Sequence, residues 1–266
     1  YIAGLTACFR SASPTAAGEP ATLRRLRVPE SIKAHRPSPQ PPASTARATP
    51  LVSYDDFFDQ LDRWLTEKDI LVVDAGFPLI GAQGVHIAAR NGFVAQAAWL
   101  AIGYSVAAAT GVKCANPNQR AVVVVGDGAF HETCQAVSDH HNYGHDTVVF
   151  VLSNGLYGIE QFIVNPNPFR RPPHDYEDHP LQNSPYSYNR LPQWNFVALT
   201  EGFGGIGRAV STPDELAMVL SEIRATPNHN FVVEVRVPET SIPHGLQSEL
   251  SSIGEDETAH PDWPPA

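Results

Sequence analysis

The sequence predicts an α/β fold: a mostly parallel sheet with helices on both faces, preceded by an extended Pro-rich arm. Three stretches predict it. "RAVVVVGDG", residues 120–128, sets four consecutive valines before a glycine turn. "TVVFVLSNG", residues 147–155, does the same after a polar helical stretch from about Phe130 to Tyr143. "DILVVDAG", residues 69–76, supplies an earlier strand. Continuous β-branched runs bury both faces of a strand, which is the pattern of a parallel sheet sandwiched by helices. Strands alternating with helical stretches then give βαβ units.

The remaining elements follow in chain order. "SYDDFFDQLDRWL" places Phe57, Leu61 and Leu65 at helical spacing, with Ser53 as N-cap. The alanine- and glycine-rich stretch from Ala97 to Gly111 predicts a tightly packing helix at a core, domain or subunit contact. "STPDELAMVLSEIRA" opens a helix with Thr212 as N-cap, Pro213 at the first helical position and Glu215 completing a capping box. "NFVVEVRV", Asn230 to Val237, is the last strand.

This organisation predicts three parts. Residues 1–50 read as the tail of a preceding domain plus a Pro/Ala-rich linker, residues 51–247 as the folded domain, and residues 248–266 as an acidic, mobile tail. The chain starts at Tyr1 and its only methionine is Met218, so we expect a processed subunit or a fragment. Within the domain, residues 165–189 form a long Pro-rich segment, read as a lid or partner-contact loop or as a solvated insertion.

Composition narrows the partners. A net charge of −10 without a basic block argues against nucleic acid and anionic membranes. No run of 18 apolar residues predicts a transmembrane helix. Three scattered cysteines, Cys8, Cys114 and Cys134, fit a reducing, cytoplasmic compartment. His140, His141 and His145 read as a surface cluster rather than a zinc site, since Gly144 interrupts them and no third ligand is evident.

The chemistry concentrates where the valine strands end. Asp127 sits between Gly126 and Gly128 at the carboxyl end of a strand, where an α/β sheet binds ligands. The glycines admit a phosphate to the backbone, and an aspartate there calls for a cation between the two. Taken alone, Asp-Gly after a strand also reads as an ordinary turn. Asn154, however, lies 27 positions after Asp127, one strand-helix-strand unit away, which sets both side chains at one sheet edge on neighbouring strands. A carboxylate beside an amide oxygen suits magnesium.

The GDG turn with an asparagine at this distance, followed by "SNGLYGIE", resembles the signature of thiamine diphosphate enzymes, and in particular the pyruvate and indolepyruvate decarboxylases. The likeness runs from about Leu51 to Gly245, the part that in that family is the C-terminal, diphosphate-binding domain. It implies the thiamine diphosphate-binding fold with thiamine diphosphate and Mg2+ as cofactors. By this resemblance Asp127, Asn154 and the carbonyl of Leu156 bind the metal, and the N–H groups of Gly128 and Ala129 face the diphosphate. Gly76, Gly126, Gly158 and Ile159 complete the cradle, the carbonyl of Leu100 receives the aminopyrimidine and Ile102 is the wedge that bends the cofactor. Glu160 matches the catalytic glutamate, with Ile159 and Ile163 in the substrate pocket.

The residues themselves allow two readings of Glu160. Apolar Ile159, Phe162 and Ile163 around it would raise its pKa and keep a proton at hand; equally, an acid in the first turn of a helix is favoured by the dipole. Departures from the family pattern are Ala75, where a hydroxyl is common, and Phe77, where a polar or acidic residue is common. The resemblance also implies an activating glutamate on a pyrimidine-binding domain that this chain lacks. We therefore expect the C-terminal piece of a 2-oxo acid decarboxylase, working as a hetero-oligomer with an N-terminal chain or domain. Carboligation by the same scaffold, or a non-catalytic cofactor-binding regulatory subunit, are the alternatives.

Overall fold

A computed structural model describes residues 51–169 and 184–247. The expected linker, the acidic tail and residues 170–183 of the long segment lie outside the described residues. Six strands form one sheet, β1 (Asp69–Val73), β2 (Phe93–Ala95), β3 (Arg120–Gly126), β4 (Val148–Ser153), β5 (Ile206–Val210) and β6 (Phe231–Arg236). Their order is β2-β1-β3-β4-β6-β5, and every pairing is parallel.

The period-2 geometry of the strands divides the core in two. Leu71, Val122, Val124, Phe150 and Val233 point to one face, covered by α1 (Tyr54–Trp64) and α8 (Pro213–Ala225). Val72, Val123, Val125, Val149 and Val232 point to the other, covered by α3 (Tyr104–Ala115), α4 (Asp127–Thr133), α5 (Val137–Asn142) and α7 (Phe196–Gly202). Each wholly buried valine contributes about 2 kcal/mol relative to exposure. The double burial of the valine runs is therefore what fixes the three central strands.

Capping agrees with the sequence. The Ser53 hydroxyl accepts from the Asp56 N–H at 3.0 Å, and the Asp56 carboxylate accepts from the Ser53 N–H at 3.2 Å. Thr212 and Glu215 make the same reciprocal pair at the start of α8. Each box stabilises its helix by about 1 kcal/mol.

Two expectations need correction. The helix expected from Ala97 begins only at Tyr104, because Leu100 and Gly103 take left-handed φ values of 54° and 80°. The histidines are not a surface cluster. His140 is wholly buried and its Nε2 donates to the Val106 carbonyl at 3.0 Å, because α5 packs this face on α3, while His141 stays exposed. No three His, Cys, Asp or Glu side chains are grouped to hold a metal among the described residues. No described helix is long and apolar enough to cross a membrane.

The strand order places the site. The chain leaves β1 toward β2 on one side, whereas β3 and β4 build the sheet outward on the other. The carboxyl ends of β1 and β3 therefore flank a topological switch point, where connecting loops diverge and open a crevice.

Candidate cofactor site

Asp127 stands at that crevice, one residue past β3 and only 4% exposed. One carboxylate oxygen accepts the N–H of Gly128 at 2.9 Å and the other that of Gly155 at 2.7 Å. Burial pushes its pKa up to about 6, against the opposing pull of these backbone donors. No cationic side chain pairs with it among the described residues. A buried carboxylate in that state is stabilised by a metal ion, and each of its oxygens keeps a second lone pair to offer one.

Asn154 and Leu156 line the same cleft as Asp127. Asn154, 8% exposed, follows β4 next to β3, and its Oδ1 accepts the Leu156 N–H at 3.1 Å, folding the loop back on itself. Carboxylate, amide and carbonyl oxygens form a hard donor set that fits magnesium, which keeps its remaining positions for phosphate and water. A cleft unites Gly76, Ile102, Gly126, Asp127, Gly128, Ala129, Asn154, Leu156, Gly158 and Ile159. A β-carbon at Gly128 would lie 2.5 Å from the Tyr157 ring and 3.1 Å from Leu191, so glycine lets the loop after β4 pack closely on the GDG turn.

Leu100, Glu160 and Ile163 do not line the cleft. Leu100 lies on the loop before α3, 55% exposed, and Ile163 is 68% exposed on α6 (Gly158–Val164). Glu160 is exposed in the first turn of α6. The apolar enclosure expected around it is not formed among the described residues, because the helix turns Gln161 and Phe162 inward instead.

Phe77, the larger departure, begins the helical turn α2 (Phe77–Gly81) and is 3% exposed. Its ring meets Tyr54, Phe162 and Phe169 edge-on at 5.5, 6.5 and 5.8 Å. An aromatic cluster thus forms part of the cleft wall where a polar group would otherwise stand. Ala75 also lines the cleft and offers no hydroxyl.

Sequence reasoning missed Asp74. This carboxylate, 1% exposed, accepts from Gly103 N–H at 3.0 Å, Ser105 N–H at 2.9 Å and Ser105 hydroxyl at 2.6 Å. It caps α3 from across the crevice and so holds Ile102 at the cleft. The available signal was an aspartate directly after a buried strand, the same signal that marked Asp127.

The family model "Thiamine pyrophosphate enzyme, C-terminal TPP binding domain" matches residues 74–235, more than half of the chain. The chain belongs to this family. Its cofactors are thiamine diphosphate and Mg2+, and the donor set described above fits them. Among curated relatives, pyruvate decarboxylase of Aspergillus fumigatus is 28% identical over 199 residues, covering 72% of this chain and 32% of the relative. A thiamine metabolism regulatory protein of Saccharomyces cerevisiae is 23% identical over 235 residues, covering 82% and 36%. The solved thiamine diphosphate-dependent 4-hydroxybenzoylformate decarboxylase of Rhodococcus jostii RHA1 shares the fold, with TM-score 0.59 and 20% identity over 76% of this chain and 36% of that one. The chain spans about a third of the length of the curated relatives it matches.

Proposed function

We propose that this chain is the C-terminal part of a thiamine diphosphate-dependent lyase that decarboxylates a 2-oxo acid to an aldehyde, and that a partner chain or domain supplies the activating glutamate. The observation that carries the reading is the buried Asp127, paired with no cationic side chain among the described residues, one strand away from Asn154, with Glu160 in the first turn of the helix that follows. When bound, the cofactor supplies a nucleophilic carbon and an electron sink for the departing carboxylate.

The chain's own residues would do the rest. Asp127, Asn154 and the Leu156 carbonyl hold the metal, and the N–H groups of Gly128 and Ala129 meet the diphosphate at the start of α4. Gly76, Gly126, Gly158 and Ile159 shape the cradle. Leu100 and Ile102 present a carbonyl and an apolar edge to the pyrimidine. Glu160 delivers a proton after carbon dioxide leaves, and it acquires its low-dielectric surroundings only when a pyrimidine-binding half covers it together with the exposed Ile163.

The test is to purify the chain from its native source, identify what copurifies, and assay carbon dioxide release from several 2-oxo acids with thiamine diphosphate and Mg2+. A stoichiometric partner and an active complex are expected, with Glu160→Gln reducing turnover by roughly a hundredfold or more. Full turnover in that variant would remove Glu160 from the mechanism. A second reading, a cofactor-binding regulatory subunit, is favoured by the aromatic Phe77 in the cleft wall and by the likeness to a protein named for thiamine regulation. It predicts cofactor binding without carbon dioxide release in every complex recovered.

A further inference from the structure

Gln161 is wholly buried, although it follows the exposed Glu160. Its amide is engaged on both sides. Nε2 donates to the Asn165 carbonyl at 2.9 Å, and Oε1 accepts from the Tyr186 N–H at 2.8 Å and from the Asn189 side-chain amide at 3.0 Å. A glutamine on a seven-residue helix thereby grips a segment about 25 positions downstream.

That segment is the one that closes the metal loop. The Asn189 carbonyl accepts from Tyr157 N–H at 2.9 Å, and the Leu191 N–H donates to the Gly155 carbonyl at 2.9 Å. Between them Leu156 and Arg190 form an antiparallel bridge. Tyr157 and Leu191 are also the two side chains that press on Gly128. A continuous path of contacts therefore runs from Gln161 through Asn189 and Leu191 to the backbone of residues 155–157 and on to the GDG turn.

Resting on the reading of residues 154–157 as the metal loop, we propose that Gln161 is a positioning residue for the diphosphate and metal end of the site. It touches neither group. It fixes the 186–191 strap, and the strap fixes the carbonyl of Leu156 and the approach of Tyr157 to Gly128. The physical reason is that an amide with two accepted bonds and one donated bond defines one orientation of the strap, whereas an apolar side chain of equal volume leaves the half-buried Tyr186 N–H and the buried Asn189 amide without this acceptor and the strap free to shift. Partners one layer behind a metal orient its ligands, and their loss weakens metal affinity by roughly 10- to 100-fold.

The experiment uses the full chain and two variants, Gln161→Met and Gln161→Glu. Binding of thiamine diphosphate with Mg2+ is measured by calorimetry, and amide hydrogen exchange is followed at Tyr157 and Leu191 without ligand. Gln161→Met is expected to weaken binding roughly tenfold. It should also speed exchange at both amides, while the amides of β3 and β4 remain as protected as in the parent chain. Gln161→Glu, which when protonated keeps the two accepted bonds and donates its hydroxyl to the Asn165 carbonyl, recovers most of both at mildly acidic pH. Exchange at Tyr157 and Leu191 that is unchanged in Gln161→Met overturns the clamp. Faster exchange with unchanged affinity overturns its link to the cofactor. A parent chain that binds no thiamine diphosphate fails the underlying site assignment instead, and the exchange data still decide whether the clamp exists.

Discussion

The ends of β1 and β3 each carry a buried aspartate, Asp74 and Asp127, on neighbouring strands. Asp74 receives donors from the start of α3, two backbone N–H groups and a hydroxyl, besides the N–H of Ala75. Asp127 receives backbone N–H groups from Gly128 and Gly155, with a weaker pull from its own N–H and that of Asn154, and burial still pushes its pKa up to about 6. The difference is one of donor supply. Where a helix start saturates the carboxylate, the group serves architecture; where the supply falls short, the group has charge left for a cation.

Substitution at the two positions tests that contrast, and the largest effect belongs to Asp127. Asp127→Ala should abolish Mg2+-dependent binding of thiamine diphosphate in calorimetry, a loss well beyond the roughly hundredfold that follows removal of a supporting partner. Its thermal midpoint should fall less than that of Asp74→Ala, since the loss of the bonds from Gly128 and Gly155 is offset by the departure of a poorly solvated charge. Asp74→Ala should do the reverse. It leaves the donors of Gly103 and Ser105 buried and unpaired and costs about 4 kcal/mol in denaturant unfolding. Binding at saturating cofactor should survive at temperatures where the variant is still folded. Equal stability losses in the two variants would sink the distinction.

The contrast also explains how far the sequence could be read. The valine runs of β3 and β4 could form little else than doubly buried strands, and the 27-residue step from Asp127 to Asn154 is fixed by one βαβ unit. The Thr212 and Glu215 box is likewise local, so it was legible. Asp74 was not, because its donors lie 29 and 31 positions away on another element. The left-handed φ of Gly103, whose N–H Asp74 accepts, likewise starts the helix later than its composition suggests. Glu160 and Gln161 show the remaining limit. A seven-residue helix has too few turns for periodicity to say which of two adjacent polar residues faces in, and packing against the strap turns Gln161 inward.

His140 extends the comparison to the face of the sheet that carries α3. Burial lowers its pKa to about 4, and with Nε2 donating to Val106 the ring is neutral and its Nδ1 lacks a partner among the described residues. Between pH 6.5 and 4 the unfolded chain therefore binds one more proton at this position than the folded chain. Stability is full above pH 6.5 and falls as pH drops through that window, by about 3 kcal/mol from this group. Denaturant titrations at a series of pH values should show the slope, and His140→Gln should flatten it. An unchanged slope in that variant would assign the acid sensitivity to another group.

The smallest effect is expected at Thr212. Thr212→Ala removes the hydroxyl that accepts from Glu215 N–H at 3.2 Å and should cost about 1 kcal/mol in unfolding. The cap starts α8, whose buried Leu216, Leu220 and Ile223 pack on the sheet face away from α3 and α4. It shares no hydrogen bond with the loops of the cleft. Affinity for thiamine diphosphate and Mg2+ should therefore stay within about twofold of the parent chain, as expected for sites too far apart to couple. A larger drop would mean that α8 transmits strain through β5 and β6 to the end of β4. In that case donor supply at each carboxylate would no longer suffice to separate residues that hold the fold from residues that hold the cofactor.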